Sequence, residues 1–200
     1  MGRTAGSTGT KTAAKIRETA LSLIARHGFE AVSMRDLGAA VGVGAPALYR
    51  YFPTKQAMLV DLLDTHLEAL ATAWTKADAQ KSDAPERLNR FVANHITFHV
   101  ERRLATQVSN LELRALEKDN LTAILRKRNE YEKTLRTILR DGHETGSFTI
   151  EDVTLTAMAI IQMITGVVVW FRPDEKMPVS GVIGNYQMMV ARLVGQKGAL

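Results

Sequence analysis

The chain has 200 residues, with 26 Lys or Arg against 21 Asp or Glu, a net charge of +5 and no cysteine. That length holds one large domain or a small one beside a larger one, with apolar residues enough for a core. The missing cysteines exclude disulfides, thiolate metal sites and cysteine nucleophiles, and they fit a cytoplasmic, reducing setting.

The first residues are Gly, Ser, Thr, Ala and basic side chains such as Arg3, Lys11 and Lys15. They lack the apolar run of a secretory signal and read as a disordered basic arm over residues 1–11. Apolar Ile16, Ala20, Leu23 and Ile24 then recur at helical spacing up to His27, and Gly28 fits a stop. Ser33 caps a second helix through Met34, Leu37 and Val41, with Asp36 placed three residues on as in a capping box. Gly42-Val43-Gly44 breaks that helix. Pro46 suits the first residue of a short third helix, where its missing N–H costs nothing. Phe52-Pro53 ends this helix, and Thr54 caps the next.

A long amphipathic helix follows to about Lys81, carrying Met58, Leu62, Leu63, His66, Leu70 and Trp74. Residues 82–85 open another, through Leu88, Phe91, Val92, His95, Phe98 and His99 to about Arg103. A short helix is expected over residues 106–116 and a long charged one from Lys118 to about Thr145. Ile150-Glu151-Asp152 starts an apolar helix that ends at Arg172-Pro173. Its uncharged run, Val153 to Phe171, contains Thr154, Thr156, Gln162, Thr165 and Gly166, and reads as a buried helix rather than a membrane span. A turn over residues 174–178 leads to a last helix to about Val194. No strand-like alternation or internal repeat stands out. The expected fold is all-α, with about nine helices.

Charge is unevenly placed. Residues 1–55 hold eight basic and three acidic side chains, while residues 56–200 hold eighteen of each. A basic block beside a neutral body suits a polyanion partner; a solvated basic terminus gives the same count. The second and third helices have helix-turn-helix dimensions. At about 100° per residue, Leu48 and Phe52 share one face of the third helix and Pro46, Ala47, Tyr49 and Arg50 the other. Small residues at the start allow close approach to a major groove and contact with thymine methyls. Tyrosine and arginine further along reach phosphates. The start of the next helix at Thr54 and Lys55, and that of the second at Ser33, Met34 and Arg35, favour further phosphates. A plain helical hairpin with exposed tyrosines is the other reading of this pattern.

Residues 12–59, in "ETALSLIARHGFEAVSMRDLGAAVGV" and "ALYRYFPTKQAML", resemble the DNA-binding domain of the TetR family of transcriptional regulators. The resemblance rests on Gly28-Phe29, Val32-Ser33, Leu37, Gly42-Val43, Leu48-Tyr49, Tyr51-Phe52, Lys55 and Leu59. It implies an N-terminal three-helix helix-turn-helix domain, residues 12–55, and a C-terminal helical ligand-binding and dimerisation domain, residues 56–200. It also implies a cytoplasmic homodimer on double-stranded DNA, with the last two helices of each subunit forming a four-helix bundle. The family's DNA contacts fall here on Ser33, Met34, Arg35, Gly44, Ala45, Pro46, Ala47, Tyr49, Tyr51 and Lys55. The sequence departs from the family pattern at Gly44, often Ser, at Pro46, often Gly, and at Tyr51, often His. Fewer direct base hydrogen bonds follow, so readout leans on apolar contact, Arg35 and DNA shape.

The dimer face is expected on the helix from Val153 to Trp170 and on the last helix, with Val182, Ile183, Tyr186, Met189, Val190 and Leu193. Pocket candidates are His66, Phe91, His95, Phe98, His99, Leu111, Glu112, Tyr131, Met158, Gln162, Thr165 and Trp170, each of which also reads as plain core. Their apolar balance suits a hydrophobic or amphipathic effector. "SNLELRAL" and "VVVWFRPDEKMPV" are similar to a subgroup that senses fatty-acyl or sterol-derived coenzyme A thioesters. Arg102, Arg103, Arg114 or Arg128 then meet phosphates, or simply solvate helix faces. His95 and His99 sit one turn apart, but no third metal ligand has diagnostic spacing. No metal or other cofactor is expected, and no nucleophile–base pair, phosphate loop or acidic cluster marks an enzyme. The leading expectation is a ligand-responsive regulator, a repressor on a palindromic operator that its effector releases. The alternative is a helical carrier or adaptor without a DNA role.

Overall fold

The computed structural model describes residues 5–78, 82–172 and 177–198, with side chains from residue 11 onward. Arg3, the helix end expected at Lys81 and most of the turn over residues 174–178 lie outside the described residues. Among those described there are helices and no strands: α1 (Ala5–His27), α2 (Met34–Val41), α3 (Ala45–Tyr49), α4 (Lys55–Ala77), α5 (Ala84–Glu101), α6 (Arg103–Leu111), a 3₁₀ turn (Glu112–Ala115), α7 (Lys118–Glu144), α8 (Val153–Thr165), α9 (Val167–Trp170) and α10 (Val179–Leu193). Counting α8 and α9 as one helix interrupted at Gly166 makes nine. Residues 5–11 of the expected disordered arm belong instead to α1, since a nucleated helix extends at little cost per residue, and residues 1–4 lie outside the described residues.

Two compact units emerge, and they divide the chain elsewhere than at residue 55. The first holds residues up to 66 together with 104–124; the second holds 67–103 together with residues from 125 on. Local bonds explain why α6 joins the first: Gln107 donates to the Ala25 carbonyl at 3.0 Å, and Gln56 donates to that of Ala115.

In the first unit, Ile16, Ala20 and Ile24 of α1, Leu37 and Val41 of α2, Leu48 of α3 and Leu59 of α4 are all buried, and α2 packs against both α1 and α3. Arg17 clamps Asp61 through two bonds of 2.6 and 2.8 Å, joining α1 to α4. The capping box forms: Asp36 N–H donates to Ser33 Oγ at 3.1 Å, and Ser33 N–H donates to the Asp36 carboxylate at 3.2 Å. The Ser33 hydroxyl, and after it the Ser33 N–H, donate to the Asp36 carboxylate and hold it below its usual range. Gly42 ends α2 at φ +81°, a left-handed conformation, and Lys15 donates to the Val41 carbonyl at 2.8 Å.

The turn after α2 is nested tightly. A Cβ on Gly38 would lie 2.8 Å from the Val43 carbonyl oxygen, whereas one on Gly42 would meet nothing within 4 Å. Gly38→Ala is therefore expected to destabilise the unit by about 1–3 kcal/mol through a backbone clash, and Gly42→Ala by about 1–2 kcal/mol through strain alone. Urea unfolding of both variants checks this, and only the first should also displace α3.

The second unit buries Leu88, Phe91, Val92 and Ile96 of α5 against Leu135, Ile138 and Leu139 of α7, Ile160 and Ile164 of α8, and Val182 and Val190 of α10. Arg87 binds Asp78 at 2.8 Å and Asp141 at 3.1 Å, joining the C-terminal end of α4 to α5 and α7. Only 28% of the apolar window Val153–Trp170 is buried within the chain, which corrects the expectation of a buried helix. Length and composition alone would let that window cross a membrane. It packs instead against α5 and α10 along one side.

A polar ladder crosses this core. His95 Nδ1 lies 3.2 Å from the Tyr131 hydroxyl and Nε2 lies 2.9 Å from Thr165 Oγ1. His99 Nδ1–H donates to the His95 carbonyl at 2.8 Å, and the two imidazoles stack with centroids 4.0 Å apart. Burial pushes the His99 pKa down to about 4, with the Arg128 guanidinium adding to the effect, and burial raises that of Tyr131. An unfolded His99 titrates near its ordinary 6.5. As pH falls from there toward the folded value, only the unfolded chain gains a proton, so stability is lost. The expected loss is on the order of 2–3 kcal/mol between pH 7.5 and pH 4.5. Chemical denaturation of the wild type and of His99→Gln at the two pH values checks it, because the variant should lack this part of the pH dependence.

Candidate functional site

The N-terminal surface is built from the short helix α3. Its N-cap, Gly44, has extended geometry (φ −67°, ψ 148°) and makes no side-chain capping bond. Pro46 occupies the second helical position, after Ala45, where its missing N–H still costs no helix bond. Leu48 is fully buried, which rolls the opposite side outward: Gly44 and Pro46 are exposed, Ala45 and Ala47 half-buried, and Tyr49 and Tyr51 are 49% and 37% exposed. Arg50 is exposed too. It is absent from the set of contacts that the resemblance supplies, but the helical period alone puts it beside Tyr49.

Around α3 the other expected contacts are placed less uniformly. Arg35 is exposed at the start of α2. The Ser33 hydroxyl is also exposed, but it is engaged with Asp36. Met34 is buried at 7% exposure, so of this residue only the backbone at the start of α2 stands toward the outer edge. Its spacing from Leu37 and Val41 turns it into the core, a consequence of the same period that faces Arg35 outward. Lys55 is held by the fold: its ammonium donates to the Glu30 carbonyl at 3.2 Å and sits 4.2 Å from the centroid of the Phe29 ring. Thr54 caps α4 by accepting from Ala57 N–H at 2.9 Å. The free edge of this unit thus combines exposed tyrosines, arginines and a fixed lysine around a small, apolar first turn.

The pocket candidates separate into three groups. His66, Leu111 and Glu112 belong to the first unit, where Leu111 is exposed and Glu112 buried near Gly28. Phe91, His95, Phe98, His99, Tyr131 and Thr165 come together in the second unit. Phe91 lies 5.3 Å from Tyr131 and 5.9 Å from His95 between ring centroids, and Phe98 meets His99 edge-on at 5.6 Å. Met158, Gln162 and Trp170 do not join that cluster; they are exposed on the outer side of α8 and α9, and they correct the expectation of pocket lining there. A helix that is apolar nearly all round gives no periodic signal for its inner side. Arg128, on α7 one turn before Tyr131, faces the His99 imidazole closely enough to depress its pKa, and burial lowers its own. Arg103 donates at 2.6 Å to the Phe171 carbonyl at the end of α9, so it serves the fold rather than a solvated face. Among the described residues no three His, Cys, Asp or Glu side chains group to hold a metal ion.

The exposed apolar side chains of the second unit concentrate on two helices. Leu155, Met158, Val169 and Trp170 project from α8 and α9, and Met188, Met189 and Leu193 from α10. Composition pointed to these helices but not to Leu155 and Val169, whose exposures of 65% and 71% are high for apolar side chains in this chain.

Two family models match the chain. The family model described as "Tetracyclin repressor-like, C-terminal domain" matches residues 81–194, and that described as "Bacterial regulatory proteins, tetR family" matches residues 16–62. The HTH-type transcriptional repressor KstR2 of Rhodococcus jostii is 24% identical over 94% of this chain and 92% of its own length. The crystal structure of the TetR family transcriptional regulator PfmR from Thermus thermophilus is 32% identical, covers 88% of this chain and 97% of its own, and superposes with a TM-score of 0.81. AibR, solved in complex with isovaleryl coenzyme A and operator DNA, has the same fold at a TM-score of 0.80 and 21% identity, covering 92% of this chain and 99% of its own. The chain belongs to the TetR family, whose members are ligand-responsive, DNA-binding transcriptional regulators and not enzymes.

Proposed function

We propose that this regulator is a cytoplasmic repressor that binds a palindromic operator as a homodimer and is released by a hydrophobic or acyl-CoA-like effector. The observation that carries the reading is the outward face of α3, with Tyr49 and Tyr51 exposed while Leu48 is fully buried. It lies within the quarter of the chain that holds the whole excess of positive charge. In this reading Ala45, Pro46 and Ala47 enter the major groove, together with the Gly44 backbone. Tyr49, Tyr51, Arg35 and the Ser33–Met34 backbone contact the groove walls, with Lys55 on a phosphate. Residues 12–55 supply the DNA-binding domain, and the remainder supplies the ligand site and dimer contact.

Support for the dimer comes from the apolar side chains on α8–α9 and α10. A second copy would bury them in a four-helix bundle, and two recognition helices related by a dyad would match two half-sites. Support for the effector comes from the aromatic cluster around His95 and Tyr131, apolar with few polar anchors. The repressor name of KstR2 and the acyl-CoA ligand of AibR favour the finer reading without fixing it. An effector that binds one dimer conformation better than another shifts the spacing of the two recognition helices.

Fluorescence anisotropy on DNA upstream of the chain's own reading frame tests this. Affinity should fall by at least about tenfold between 50 and 200 mM salt, because phosphate contacts release counterions. Tyr49→Ala should weaken binding by a similar factor with its circular dichroism unchanged. A salt-independent constant, or an unaffected Tyr49→Ala, would overturn the reading. In sedimentation, Leu155→Glu with Val169→Glu should run as a monomer and lose operator affinity. A double variant that stays dimeric would refute this interface.

A further inference from the structure

We propose that the first turn of α3 reads its operator through the C5-methyl groups of pyrimidines, those of thymine and equally of 5-methylcytosine. The inference rests on the DNA-binding reading above and deepens it.

Gly44 and Pro46 are exposed, and Ala45 and Ala47 half-buried, so these four residues form the part of α3 that leads into the groove. None of them carries a side-chain donor or acceptor. Two of the backbone donors are also removed: Pro46 has no N–H, and that of Ala47 is held by the Gly44 carbonyl at 2.9 Å. The orientation is not adjustable, because Leu48 is fully buried and the Val43 carbonyl lies against Gly38. The hydrogen-bonding side chains stand elsewhere: Tyr49, Arg50 and Tyr51 toward the end of the helix, and Arg35 on α2.

The major groove offers donors, acceptors and one apolar feature, the thymine methyl. The side-chain part of this surface, made of Cβ and ring methylene groups, cannot tell donor from acceptor. It gains only where a methyl replaces water against it and loses where a polar edge is desolvated without a partner. Methylation of cytosine at C5 puts the same group in the same place. The base steps under this turn are therefore discriminated by the presence of a methyl, while Arg35 and Arg50 remain free to read guanine or phosphate.

The test starts from a randomised duplex pool. The best-bound sequence is resynthesised with each thymine in turn replaced by deoxyuridine, which removes the methyl and keeps the pairing edge. Affinity should fall about two- to fivefold at one or two positions per half-site, the scale expected for one buried methyl. Replacing such a T·A pair by C·G should weaken binding further, and C5-methylation of that cytosine should restore part of the loss. In the Pro46→Ser/Ala47→Ser double variant, checked for fold by circular dichroism, the deoxyuridine effect should vanish. A selected operator bound equally well with every thymine replaced would overturn the methyl readout and leave DNA binding intact. So would a double variant that keeps the full effect. A pool from which no sequence is enriched would overturn both readings.

Discussion

The orientation of α3 depends on one buried side chain and one absent one. Leu48 has no solvent exposure, and it draws the inner face of a five-residue helix onto α2. Gly38 has no Cβ, so the Val43 carbonyl approaches to where any other residue would obstruct it. Together they fix both the roll of α3 and its distance from α2. A helix this short has little stability of its own, so packing rather than propensity holds it. Whatever α3 presents outward is presented in a single pose, and the same constraint that makes the turn intolerant of substitution makes its outer surface free to vary.

The N-terminal unit was legible in the sequence wherever chemistry is local. Ser33 and Asp36 sit at capping-box spacing and make the box; Gly42 stands where a left-handed stop is needed and adopts it. Lys55 was legible as a cation but not as a strut, because its partners, Phe29 and Glu30, lie 25 or more residues away in the chain. Met34 shows the limit in the other direction. Family position suggests a contact, while its spacing from Leu37 and Val41 turns it inward. The two agree only if the contact is made by the backbone at the start of α2.

The second unit yielded less, for a physical reason. Along α8 nearly every residue is apolar, so nothing in the pattern separates Ile160 and Ile164, which are buried, from Leu155 and Met158, which are not. The polar ladder was more accessible: His95 and His99 at one-turn spacing predict a shared face, and they do stack. What the spacing could not reveal is that Tyr131 and Thr165, 36 and 70 residues away, would complete the bonding of His95. That completion turns a pair suggestive of a metal site into a hydrogen-bonded element tying α5, α7 and α8.

The seat of Lys55 has a kinetic side. Its ammonium rests over the Phe29 ring and on the Glu30 carbonyl in the free chain. Immobilising a free lysine costs roughly 1.5–2 kcal/mol of rotamer entropy. Here much of that cost is met during folding, so an anion arriving at this edge finds its counter-charge already aimed. Under the DNA-binding reading proposed above, a phosphate docking at this corner would need less side-chain search, and arginine, whose planar head fits the ring and the carbonyl differently, would be an imperfect replacement.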